Sequence, residues 1–364
     1  MKSFRHIAIF LGLAALLAGC VKAEIVDVPE RPVSFSVGSY APATKAVAVT
    51  EFSSFSCMAY LHAEGFENTT QDFFGANGET ITKQTVSNNT EWVPGHVYYW
   101  PKSANSYVNF VAWHDANGTA PDAVSETALA WNGYTVAADD NLLWADEAWR
   151  FNDNVNPATY GSVSGVTAGV PMLFHHALAQ VCFKGKIKSG CDTNDAGTLR
   201  WEVSLTNMSL TNVYNTGNLA MTNSDPGSSS ASTTNAWTVT NGGWTPTGSA
   251  TTLNILGSSE TALNANTATD LLQMRSVLPQ EVTNMVLSLT WTIRTYRGSE
   301  TTPFCMESLS FSGNLATIAP TIAEWSMGHK ITYTLEFDPT TDSIRFAPSL
   351  DDWDVASNSP VVVE

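Results

Sequence analysis

Two stretches near the end of the chain alternate apolar and polar side chains, and this period of two constrains the fold more than any other feature. From Val286 to Arg294, Val286, Leu287, Leu289 and Trp291 alternate with Ser and Thr. From His329 to Phe337, Ile331, Tyr333, Leu335 and Phe337 alternate with polar partners. Successive side chains point to opposite faces of a strand, so the pattern suits a sheet with one buried face and does not suit a helix. Near the front, Val33, Phe35 and Val37 repeat it with serines between them, which reads as a half-buried strand over 33–40. Further strand-like runs at 55–61, 97–100 and 108–113 are spaced by the turn signals Asn77-Gly78, Pro94-Gly95 and Asn117-Gly118. Residues 173–181 fit a strand or a pair of helical turns, and 184–188 fit a strand. No amphipathic helical pattern exceeds about three turns. The chain therefore reads as all-β, built from sandwiches. Its 364 residues exceed one typical domain. We expect two tandem β-sandwich domains, 46–174 and 175–364, with 114–165 less regular and 222–251 a polar surface loop.

The front of the chain predicts export. Lys2 and Arg5 precede an apolar run from Ile7 to Leu17, which is too short to span a bilayer as a helix of ~20 residues. It closes on Leu17-Ala18-Gly19-Cys20, small residues followed by a thiol. This is the pattern of a secretory signal ending in a lipobox, so residues 1–20 are expected to form a lipoprotein signal with Cys20 acylated. The protein would then be held at a membrane by lipid. Residues 21–45 follow as a tether carrying the first strand.

Acidic residues outnumber basic ones, 34 to 17, for a net charge of −17. That excess disfavours nucleic acid and anionic membrane surfaces as partners. Beyond Cys20 there are four cysteines, Cys57, Cys182, Cys191 and Cys305. Export permits disulfides among them, in three pairings, and buried free thiols fit equally well. No spacing suggests a metal site or a cofactor. Carboxylates occur as neighbours at Asp139-Asp140, Asp146-Glu147 and Asp351-Asp352, but neighbours on a strand point to opposite faces and make poor acid/base pairs. No catalytic motif is present, and His175-His176 lacks a partnered ligand motif, so we expect no enzyme and name no catalytic residue.

Four segments, in order, resemble the fimbrillin family of type V pilus lipoproteins. They are Val97-Tyr98-Tyr99-Trp100-Pro101 with Val108 to Trp113; Met172 to Val181; Trp325 to Leu335; and Ile344 to Pro348 closing on Asp352-Trp353. Their aromatic and aliphatic residues read as core, and His176 as a core or interface histidine. The resemblance implies two stacked transthyretin-like sandwiches and placement on the outer-membrane surface and in the fimbrium. It also implies a trypsin-like protease that removes the first strand, and other pilin subunits that refill the groove by β-strand addition. On this sequence the removable strand carries Val33, Phe35 and Val37, and the cut falls between Lys45 and Ala46. Arg31 is a second basic site, with Pro32 after it. Beyond Trp353 only Val361-Val362-Val363 is strongly β-prone. Either the strands at 331–348 swing out as donors, or the subunit accepts a strand and donates none, as a tip or accessory adhesin would.

The rival reading is a surface glycan-binding lipoprotein. Trp131, Trp144 and Trp149, in the less regular region, are its candidate sugar platforms, and a surface glycan or protein its partner. Asp342-Ser343-Ile344 fits an O-glycosylation signal or a turn before a strand.

Overall fold

A computed structural model describes residues 32–39, 52–62, 71–86, 89–101, 106–151, 169–192, 199–224, 226, 234–235 and 237–353. Cys20, Arg31, Lys45, Ala46 and Val361–Val363 lie outside the described residues. The strands in chain order are β1 (Phe35–Ser39), β2 (Ser54–His62), β3 (Gln71–Asp72), β4 (Glu79–Val86), β5 (Asn89–Pro94), β6 (Tyr107–Asp115), β7 (Ala123–Val124), β8 (Ala128–Thr135), β9 (Leu142–Ala145), β10 (Glu147–Phe151), β11 (Val170–His176), β12 (Ala179–Ile187) and β13 (Leu199–Val213). They continue as β14 (Thr216–Thr222), β15 (Thr234–Asn235), β16 (Thr238–Val239), β17 (Thr245–Pro246), β18 (Thr251–Asn254), β19 (Thr261–Ala262), β20 (Thr269–Val277), β21 (Gln280–Glu281), β22 (Val286–Arg297), β23 (Cys305–Asn314), β24 (Glu324–Trp325), β25 (His329–Asp338) and β26 (Ser343–Asp352). Among the described residues the only α-helix is the single turn Leu315–Ile318. The protein is all-β.

The first half is a sheet that closes on itself. β6 pairs with β2 on one edge and with β9 and β10 on the other. From β9 the pairing runs through β11, β1, β5 and β4 back to β2. The ring encloses one apolar core containing Phe35, Phe55, Trp92, Phe110 and Phe174.

In the second half a four-stranded sheet, β20-β12-β25-β26, faces a sheet ordered β18-β13-β22-β23. Between them lies a core that includes Val181, Phe183, Leu205, Trp291, Tyr333 and Phe337. The alternation seen in the sequence is visible directly. Leu287, Leu289, Trp291 and Ile293 are buried along β22, and Ile331, Tyr333, Leu335 and Phe337 along β25. On the outer face of β22 and β23, hydroxyls pair across strands at Ser288–Ser312, Thr290–Ser310 and Thr292–Ser308. Segment 173–181 divides between β11 and β12, with Ala177 and Leu178 buried between them.

Two local expectations are corrected. Residues 97–100 form no strand: Tyr99 makes one isolated bridge to Pro32, and Val97 is 69% exposed. Pro32 has no N–H to extend the ladder. The irregular regions, 114–165 and 222–251, supply in their described parts β7, β8, β16 and β17 of a further small sheet completed by β14. There β8 lies between β7 and β14, and β16 and β17 add to β14. Trp237 and Trp244, expected on a surface loop, are buried because this sheet covers the outer faces of β2 and β6. Of the two alternatives for the cysteines, free thiols hold: Cys57, Cys182 and Cys191 are buried and Cys305 is half-buried.

Candidate strand-exchange groove

β1 is a central strand of the first sheet. It runs parallel to β11, with Phe35 beside Val170, Val37 beside Met172 and Ser39 beside Phe174. On its other side it touches β5 through a single pair, Phe35 with Trp92. The Val170 N–H donates to the Ser34 carbonyl, and the Val33 N–H donates to the Tyr98 carbonyl, each at 2.8 Å. Because Val170 points its N–H at β1, the next residue, Pro171, faces its missing donor away from β1, where it costs the ladder nothing.

The side chains of β1 and its entry fill the ring. Val33, Phe35 and Val37 are 2%, 1% and 1% exposed, so all three expected residues line one buried face. The Phe35 ring sits among aromatic neighbours: Phe110 at 5.2 Å, Phe55 at 5.9 Å and Phe74 at 6.4 Å, all edge-on. The strand was expected to be half-buried, but Ser36 is buried as well. Its hydroxyl donates to the Gly169 carbonyl at 3.4 Å. A strand with neighbours on both edges is covered on more sides than period-two alternation can report.

Sequence reasoning missed Gly169. A β-carbon there would lie 2.7 Å from the Phe35 backbone and from the Ser34 carbonyl. Only glycine allows β1 to lie so close to the start of β11.

The mouth of the groove is pinned by Glu79. Its carboxylate accepts from the Tyr98 hydroxyl at 2.6 Å and pairs with His96 Nδ1 at 2.7 Å. Desolvation works against the Glu79 charge, but these hydrogen bonds prevail and hold it below the ordinary glutamate range. The Tyr98 phenol is pushed up to about 12 by burial and by the same contact. Glu79 thus fixes the residue whose carbonyl holds Val33.

A family model described as fimbrillin-like matches residues 48–353. The chain belongs to this family. Solved structures similar to this fimbrillin-like chain include a fimbrial protein from Bacteroides vulgatus, at 16% identity and TM-score 0.45, covering 89% of this chain and 99% of that one. A cell adhesion protein from Bacteroides uniformis, described as putative, is 16% identical, with TM-score 0.44 and coverage of 88% and 98%. The fimbrial anchor protein Mfa2 from Porphyromonas gingivalis is 10% identical, with TM-score 0.30 and coverage of 90% and 100%. No curated protein matches the sequence.

Two of the expected sugar platforms are not surfaces. Trp131 is 1% exposed and Trp144 is 6% exposed, and Trp144 stacks on His175 at 4.3 Å. Both are core because β14 and the 237–244 segment cover them. The side chain of Trp149 lies outside the described residues. Asp342 takes a left-handed turn (φ 53°) directly before β26, and the Ser343 side chain is exposed.

Proposed function

We propose that this protein is a structural subunit of a type V pilus, assembled by exchange of β1 after proteolysis. In this reading acylated Cys20 delivers the chain to the outer membrane, and a trypsin-like protease cuts between Lys45 and Ala46. Residues 46–174 and 175–364 then form the two sandwiches of the working subunit. The observation that carries the reading is the place of β1: one short strand, bounded by β11 and β5, completes the ring and fills its core with Val33, Phe35 and Val37. Each buried side chain of this kind contributes roughly 1.5–3 kcal/mol, so cutting the tether leaves β1 in place until a donor strand displaces it. An incoming strand must repeat large apolar residues at alternate positions.

The finer assignment, a tip or accessory subunit that accepts a strand without donating one, draws support from the second sandwich. β25 is held on both edges, by β12 and β26, so the stretch 331–348 cannot leave as a unit without dismantling that sheet. The test is limited trypsin treatment of wild type and Lys45→Ala, followed by N-terminal sequencing and size-exclusion chromatography. Wild type should gain the ability to bind a strand peptide or to oligomerise after the cut, and Lys45→Ala should stay monomeric. A chain cut at Lys45 that neither exchanges β1 nor accepts a strand ends the proposal.

A further inference from the structure

We propose that the junction between the two sandwiches holds a binding site for a small acidic sugar, with Arg275 as the residue that takes its carboxylate. A cavity of about 280 Å³ opens there, lined by Tyr214, Asn215, Thr252, Asn254, Arg275 and Val277 among others. It is built from the β13–β14 turn, β18 and the end of β20, with Val136 from the first half closing one side. This position is independent of the β1 groove, and the inference does not rest on the pilus reading.

Arg275 is the observation that points to a ligand. Its Nε is buried and has no hydrogen-bond partner among the described residues. Elsewhere in the second half Arg200 pairs with Glu202, Arg294 pairs with Glu260, and Arg297 lies over Phe304. A buried N–H donor left without an acceptor costs free energy, which an incoming anion returns. A guanidinium fork matches a carboxylate bidentately.

The rest of the lining selects what carries that carboxylate. Asn215, Asn254, Thr252 and the Tyr214 side chain offer amides and hydroxyls that suit a polyhydroxylated ring better than an apolar acid. The volume of about 280 Å³ lies just below the ~300–1,000 Å³ typical of small-molecule sites, which suits one sugar unit. The site is also rigidly held. The Ser276 N–H donates to the Ala138 carbonyl at 2.8 Å, and its hydroxyl to the Asp140 carbonyl at 2.5 Å, tying Arg275's strand to the first half.

The full-length chain would be titrated with glucuronate, N-acetylneuraminate, glucose and acetate, by calorimetry and by amide chemical shifts. The acidic sugars should bind at least tenfold more tightly than glucose or acetate, with shifts confined to Val136, Asn215, Thr252 and Val277. Arg275→Met should lose at least tenfold for the acidic sugars, and Arg275→Lys should fall between. Thr252→Val, at an exposed position that leaves the fold intact, should weaken the sugars and leave acetate unchanged. Equal affinity for glucose and glucuronate, shifts elsewhere, unchanged binding by a folded Arg275→Met, or no binding of either acidic sugar would overturn the proposal.

Discussion

His176 stacks on Trp353 with ring centroids 3.7 Å apart, at the seam where β26 ends and the sandwiches meet. The ring is 3% exposed. Desolvation, then the charges of Lys330 and His175, push its pKa well below the ordinary histidine value. The folded protein therefore keeps His176 neutral, whereas the unfolded chain protonates it near pH ~6.5. As pH falls below that value the unfolded state binds the extra proton, and stability drops. We predict that the urea midpoint falls between pH 7.5 and 5.5, and that His176→Phe, which keeps the stacking, reduces this fall. An unchanged slope in His176→Phe assigns the pH dependence to other groups. The sequence suggested a core or interface histidine here, because the residue lies in a run of aromatic and aliphatic residues that read as core. It could not show that the stacking partner would be Trp353, far along the chain. Trp131 and Trp144 were harder to read for the same reason. Neither Trp131, between Ala130 and Asn132, nor Trp144, between Leu143 and Ala145, carries a local sign of whether a distant strand will cover it.

At the scale of elements, β1 shows what period-two alternation conveys and where it stops. The alternating residues Val33, Phe35 and Val37 announced a strand and its buried face. Its parallel partner β11 and the ring it completes depend on contacts more than a hundred residues apart, which no local pattern records. Gly169 is the residue through which that packing can be tested. Gly169→Ala places a methyl 2.7 Å from the β1 backbone, so β1 must shift away from β11. Overpacking of this kind typically costs ~1–3 kcal/mol. The variant should melt at a lower temperature than wild type. After cleavage at Lys45 it should also release β1 to a competing peptide faster, as followed by mass spectrometry of the freed N-terminal fragment. Wild-type melting and wild-type release would show that β1 does not depend on this close approach. The second sandwich repeats the device. β12 runs parallel to β25, with Val181 beside Ile331 and Ile187 beside Phe337, so an early strand is again held by a late one.

Across the whole molecule, the two sandwiches share a third core. Met58, Tyr60, Val111, Trp113, Leu129 and Trp131 from the first half pack with Leu219, Met221, Trp237, Trp244, Leu278 and Trp353 from the second. β8 of the first half pairs with β14 of the second from Thr135–Thr216 to Ala128–Thr222. An indole N–H adds to the seam: Trp237 donates to the Ala145 carbonyl at 3.1 Å. Without the second half, six large side chains of the first would return to water at roughly 1.5–3 kcal/mol each, a sum comparable with the ~5–15 kcal/mol that stabilises a typical domain. The halves should therefore unfold together. In urea, tryptophan fluorescence and far-ultraviolet circular dichroism of the full chain should give one coincident transition. Residues 21–176 expressed alone should lack a cooperative transition, even though they carry the whole β1 ring. Two separated transitions, or a stably folded fragment 21–176, would show that the shared core joins two independent units. In the proposed assembly, a subunit that unfolds as one body would keep its second sandwich fixed while β1 is exchanged from the first, so the seam bears directly on whether such exchange can proceed without the molecule falling apart.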